Sequence, residues 1–457
     1  IGGTWHVNDY PEARVDVPTF LYQYKFDRDY AWKSFFATQP ELLEYIDYIV
    51  DNYGLRERIE LSTEIKSARW DDTTKKWILE LQKGDQVETR QTDVLISAAG
   101  LFTTPKLPEI NGIENFTGEM FHTTNWNHDF DPLGKKIAVI GTGSTGTQLM
   151  PALAEKAEQL TVYQRTPNWI TPIEGYHAKL TPELQWLFDN MPGYRSWFVY
   201  QQHVGDIWVQ NFHEMDPEWI AKGGRVNEKN QRLRENLTAY IETKVGHKDG
   251  LVDKLVPEYA PLARRLVIDN GFYDALTRDN VILDTDGIEE ITATGITSTS
   301  GTHRDYDLIV LGAGFHVSRY FWPVEYRGRD GVTLEHLWNN GGARAHKGIT
   351  LPGFPNFFII YGPNAQARAG SFHSWVEVLS RYIADAIATM VEKDATTIEV
   401  KSRAFDEYNA RMDEAMSRML WESEGQGGYY VNEHGRSGVN MPWTMYEFHQ
   451  MIRQIEP

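Results

Sequence analysis

Gly141-Thr142-Gly143-Ser144-Thr145-Gly146 follows the apolar run Ile137 to Ile140 and leads into LMPALAEKA, which has helical spacing. No other feature restricts the fold as strongly. The first glycine permits a tight turn out of the strand, and the second lets the backbone approach a pyrophosphate. The third lets the helix pack close to the strand, with its N-terminal dipole facing the phosphates. A second apolar strand, LTVYQ, arrives at the expected distance. The spacing therefore predicts a dinucleotide-binding unit in preference to an ordinary glycine turn. Where such a unit usually carries an acid for the ribose hydroxyls, Gln164-Arg165-Thr166 stand instead. A cation and a hydroxyl suit a 2′-phosphate, which favours NADPH over the plainer reading of Arg165 as a solvated charge.

Around this unit the chain repeats itself. From Arg58 to Gly100, period-two segments punctuated by turns (IELSTEIKSARW, WILEL, DVLISAAG) predict a three-stranded meander closing on a buried strand. From Val281 to Phe315, VILDTD, ITATGITS and the SGTHRD turn lead into DLIVLGAGF as a second copy. The fold expected is α/β, with two Rossmann-like dinucleotide-binding domains. Residues 1–131 would form the first part of one domain and 326–457 its C-terminal part. Residues 132–325 would form the other, with a helical insertion over about 172–259, where LQWLFDNM and LRENLTAYIETKV have helical spacing. By symmetry the first copy should open with its own strand, glycine turn and helix, expected before Ile1. The 457 residues alone would then hold a second dinucleotide poorly.

Composition removes several alternatives. A net charge of −19 opposes nucleic acid and anionic membrane surfaces, and no apolar stretch reaches the roughly 18 residues that span a bilayer. Without cysteine there is no disulfide, thiolate metal site or redox-active cysteine pair, and a cytoplasmic location is the default. No GxxxxGK[ST], HExxH or GxSxG occurs, and His122 and His128 lack metal-ligand spacing, so no metal site is expected. Small molecules are the expected partners, and oligomeric state is left open, a homo-oligomer included.

Three segments resemble the Baeyer-Villiger monooxygenase family. Phe116, Gly118, His122 and Trp126 meet its FxGxxxHxxxW fingerprint, with Asn127 where Pro or Asp is usual. Gly2, Gly3, Trp5, Tyr10, Pro11 and Asp16 meet GGxWxxxxYP and its following Asp, with Glu12 in place of a small or apolar residue. In ARRLVIDNGFYDALTRDN, Arg265 takes the place of the active-site arginine and Arg264 that of a lysine near the 2′-phosphate. Within the family, QRTPNW, DNGFYDALTRDN and YYVNEHGRSGVNMPW are similar to 4-hydroxyacetophenone monooxygenase and its relatives. Gln366-Ala367-Arg368-Ala369 and Gly312-Ala313-Gly314-Phe315 depart from their patterns, so substrate range is expected to differ.

The resemblance implies that NADPH reduces FAD, that the flavin takes up dioxygen, and that a flavin peroxide converts a ketone, possibly an aryl ketone, to an ester or lactone. Arg265 would be the catalytic cation and Asp16 its orienting partner. Gly141, Gly143, Ser144, Thr145, Gly146, Arg165, Thr166 and Arg264, with Gly3, Thr4, Trp5, Tyr10 and Asp16, would bind the cofactors. Tyr429 or Tyr430 would line the substrate cavity, although adjacent aromatics are more often core, and paired arginines are commonly solvated. A nitrogen- or sulfur-oxygenating flavin monooxygenase and a flavin-free NADP-binding protein remain as alternatives.

Overall fold

The computed structural model describes residues 1–453 except 340, 369, 426, 427 and 429, with 203–210 described as backbone. At its centre is a five-stranded parallel sheet, in the order Val281–Asp284, Gln159–Tyr163, Lys136–Ile140, Leu308–Leu311 and Glu119–His122. Successive side chains leave a strand on opposite faces, and here both faces are covered. Ile137, Val139, Leu308 and Val310 pack under the helices, including Ser144–Lys156. Ala138, Ile309 and Leu311 pack beneath the antiparallel meander Ile288–Ile291, Gly295–Ser298, His303–Asp305. All seven are buried.

The meander differs from expectation at its start. Val281–Asp284 pairs in parallel with Gln159–Tyr163 and is the edge of the central sheet. The reason lies in the sequence: Val281, Ile282 and Leu283 are apolar in succession without alternation, the pattern of a strand covered on both faces. Asp284 is buried there, receiving Ser298 Oγ at 2.9 Å and Arg304 Nη1 at 2.7 Å.

The first meander, Glu64–Asp71, Lys76–Lys83 and Gln86–Thr92, is antiparallel as the alternation requires. Two later segments complete it: Glu325–Arg327 adds in parallel to its first strand, and Phe357–Ile359 pairs in parallel with Leu95–Ser97. Trp77 pins this return, fully buried between Trp70, Phe354 and Phe357, with its indole N–H donated to Pro355 O at 2.8 Å. Burying a side chain of that size contributes about 1.5–3 kcal/mol.

Between the halves run the helices Pro182–Asn190, Tyr194–Val209, Pro217–Ala221, Glu228–Val245 and Leu251–Leu255. Thr181 and Asn227 cap two of them with their side-chain oxygens. Leu237, Ile241 and Val245, four residues apart, form the buried stripe of the longest. Helix Phe372–Glu392, capped by Ser371, buries Trp375, Leu379, Ile383, Ala386 and Met390 with the same periodicity. Among the described residues no helix is long and apolar enough to cross a membrane.

His346 is buried against Tyr408, with ring centroids 5.2 Å apart. Burial, reinforced by neighbouring Lys347, pushes its imidazole down to about 4 from the ordinary 6.5. Unfolding restores the ordinary value, so the unfolded chain binds more protons in acid. The stability owed to neutral His346 is complete above pH 6.5 and is lost as pH falls toward about 4. Urea midpoints should fall between about pH 7 and about pH 5, and His346→Phe should flatten that fall. An identical slope in the variant would contradict this.

Candidate active site

The glycine turn is built from backbone contacts that exclude side chains. Gly141 has φ +108°, and a Cβ on it would lie 2.5 Å from Gly312 O. A Cβ on Gly146 would lie 2.1 Å from Gly141 O, which is why the helix sits tight on the strand. At Gly143 the same addition meets nothing within 4 Å, and the helix that begins after it has no side-chain cap. Open space before uncapped N–H groups is the cradle that a pyrophosphate fits. The exposed Arg165 and half-buried Thr166 follow the adjacent strand at the same edge of the sheet.

Two adjacent arginines serve different places. The guanidinium of Arg264 lies 4.6 Å from the centre of the Tyr259 ring. Tyr259 Oη donates to Pro167 O or Asn168 Oδ1, each 3.2 Å away, and Asn168 Nδ2 donates to Thr142 O at 2.8 Å. A stacked cation is thus linked step by step to the glycine turn. Arg265 turns the other way: its Nη2 meets Asp16 Oδ2 at 3.3 Å, and its backbone N–H donates to Tyr430 Oη at 3.2 Å. Just beyond it, Val267–Ile268 pairs with Ile170–Thr171, which fixes where the arginines emerge.

Asp16, Arg265 and Tyr430 open onto a cavity of about 230 Å³, lined also by Leu262, Ile268, Tyr361, Phe372 and Trp421. Burial raises the phenol of Tyr361 well above its ordinary range, with Arg265 opposing. Burial likewise pushes Tyr22 up to about 12, against a hydrogen bond from Trp5 Nε1. Both phenols stay protonated at neutral pH. Tyr361 was not legible as a site residue, since it follows the apolar strand Phe357–Ile359 in no chemical motif. Tyr429 lies outside the described residues.

Other residues singled out in the sequence turn out to brace the site. Tyr10, expected to bind a cofactor, is buried and gives its hydroxyl to Gln148 Oε1 at 2.8 Å on the glycine-turn helix. Its side chain is a tie between the halves and does not line the cavity. Gly3 caps the short helix Thr4–Val7. Glu12 adopts φ +65° and pairs with Arg14 at 2.8 Å, which offsets the cost of a left-handed glutamate. In the other fingerprint, the Phe116 ring occupies the space where a Gly118 Cβ would be, 2.6 Å away. Trp126 packs edge-on against Phe121. His122 accepts from Thr124 N at 3.2 Å and faces Gly314 O at 3.2 Å through Nε2. Burial lowers its pKa, so the neutral ring clasps the edge strand to the Gly312–Phe315 turn.

Comparison with known proteins bears on the family and the fold. The family model described as flavin-binding monooxygenase-like matches residues 7–179. A Baeyer-Villiger monooxygenase of Streptomyces coelicolor is 32% identical over 464 residues, covering 100% of this chain and 85% of the relative. Among solved structures, OTEMO in complex with FAD and NADP superposes with a TM-score of 0.84 at 26% identity, covering 99% of this chain and 90% of that one. The cyclohexanone monooxygenase from Rhodococcus sp. Phi1 bound to NADP+ gives 0.83 at 26%, with the same coverage.

The glycine contacts make a paired prediction. Gly146→Ala should cost roughly 1–3 kcal/mol or more in stability, because its methyl has no room. Gly143→Ala should melt like the parent yet bind NADPH more weakly, because its methyl occupies the phosphate approach. Thermal melts and NADPH titration check both, and the reverse pattern would contradict the geometry.

Proposed function

Because the chain belongs to the Baeyer-Villiger flavoprotein monooxygenases, which work with NADPH and FAD, we propose that it inserts one atom of dioxygen beside the carbonyl of a small aryl ketone, giving an ester. The observation that carries this reading is the Asp16–Arg265 pair opening onto the cavity. A single-ring ketone suits the space: a cavity of about 150 Å³ holds benzene, and this one is about 230 Å³. The segments similar to 4-hydroxyacetophenone monooxygenase support an aryl substrate.

Residues 1–131 and 326–457 are assigned to FAD, supported by the parallel pairing of Leu95–Ser97 with Phe357–Ile359. Gly3, Thr4, Trp5 and Asp16 would hold the flavin. The glycine turn, Arg165, Thr166 and Arg264 would hold NADPH. Bound FAD supplies hydride acceptance from NADPH and activation of dioxygen.

This chain's own residues supply placement and charge. Arg265 presents a fixed guanidinium where negative charge develops on the reacting oxygens, and such preorganised charge lowers the barrier. Asp16 holds one side of that guanidinium and Tyr430 fixes the backbone behind it, so the charge is aimed before substrate arrives. Gly370 and Phe372 bring the N-terminal end of helix Phe372–Glu392 to the cavity, which also favours negative charge. Leu262, Leu266 and Ile268 line the cavity with apolar surface and limit water.

Arg265→Ala should keep NADPH-driven bleaching of the flavin but lose on the order of a hundredfold in ester formation. Undiminished ester yield would overturn the role. Arg165→Ala should weaken NADPH by about tenfold or more and leave NADH nearly unaffected, as expected for a lost charge-assisted phosphate contact. Equal losses for both nucleotides would exclude a 2′-phosphate contact.

A further inference from the structure

Three side chains of the cavity take no part in the mechanism above. Trp375 and Asn440 are buried, and among the described residues neither Trp375 Nε1 nor Asn440 Nδ2 has a hydrogen-bond partner. The equally buried indoles of Trp77, Trp169 and Trp421 each donate to a backbone carbonyl, whereas the Trp375 N–H does not. Both residues line the cavity that Arg265 and Asp16 line. The third is Arg368, whose side chain is 3% exposed and lines the same cavity, with Nη1 paired to the half-exposed Glu214 at 3.0 Å.

These groups are held in place. The Trp375 ring packs against Phe448 at 5.0 Å. Asn440 is fixed through its backbone, which bridges to Gln366 and accepts from Asn364 Nδ2 at 2.9 Å. Two neutral donors and a cation on one wall have no use for another donor, and they match a group with several lone pairs and one negative charge. Glu214, and Glu447 within electrostatic reach of Arg368, weigh against a doubly charged group.

We propose that this wall recognises a carboxylate on the substrate, remote from the reacting carbonyl, so that the preferred substrates are aryl ketones bearing an acid group. The inference rests on the reading of the cavity as the ketone site. It also gives a role to Arg368, in the 366–369 stretch that departs from the 4-hydroxyacetophenone monooxygenase pattern.

The test uses FAD-loaded enzyme with 4-acetylbenzoate, its methyl ester and 4-methylacetophenone. Binding is measured calorimetrically without NADPH, and kcat/KM is measured by product formation with NADPH. The acid should bind about tenfold or more tightly than either neutral ketone and lead them in kcat/KM by a similar factor. Trp375→Phe keeps the ring packing and removes only the N–H, and Arg368→Met removes the charge. Each should collapse the preference, and Arg368→Lys should restore part of it, with thermal melts confirming folded protein. Equal affinity for the acid and its methyl ester, or a preference that survives both substitutions, overturns the proposal. If the ketone reading itself fails, no ketone yields ester, whereas the binding preference is read independently of turnover.

Discussion

The close approach of Gly141, Gly146 and Gly312 is the constraint on which the rest of this structure depends. Three backbones meet where one Cβ would come within 2.1 Å of a carbonyl oxygen. That contact lets helix Ser144–Lys156 begin at the edge of the sheet, and the helix then organises its surroundings. Gln148 on it receives Tyr10 Oη at 2.8 Å and donates to Arg14 O at 3.0 Å and Tyr176 Oη at 3.1 Å. One side chain of the nucleotide-turn helix thereby fixes the loop that carries Asp16. On the other side, Gly312 starts the turn that His122 clasps.

The Asp16–Arg265 pair is a consequence of this bracing and does little to cause it. Both side chains are about half exposed, so the pair stabilises the fold by no more than about 1 kcal/mol. Its importance is positional. Loop and arginine are each held by other contacts, and the ion pair aims a guanidinium into a cavity walled by Tyr361, Tyr430 and apolar side chains. Tyr10, Gly118 and His122 brace the frame, while Arg265, Tyr361 and Trp375 line the cavity.

Local pattern made the frame legible in the sequence. The glycine turn, the first meander and the helix at 372–392 each declare themselves by period or by residues whose backbone freedom the turn requires. Val281–Asp284 was assigned to the second meander because its three apolar residues in succession carry no alternation. Glu325–Arg327 was invisible, since its strand character comes only from its partner. The cavity was legible in part. Arg265 and Asp16 stand in motifs and Tyr430 was one of two aromatics offered, whereas Tyr361, Trp375 and Asn440 come from distant segments and carry no shared spacing. Tyr10 stands in a cofactor-associated fingerprint, and its hydroxyl donates to Gln148.

The central claim is that this cavity directs one oxygen atom into a ketone. It is tested most directly by turnover of an aryl ketone under 18O-labelled dioxygen with NADPH and FAD-loaded enzyme. The account predicts an ester carrying one labelled oxygen for each NADPH consumed. Consumption of NADPH with all the label recovered in hydrogen peroxide, and no ester from any ketone offered, would contradict it.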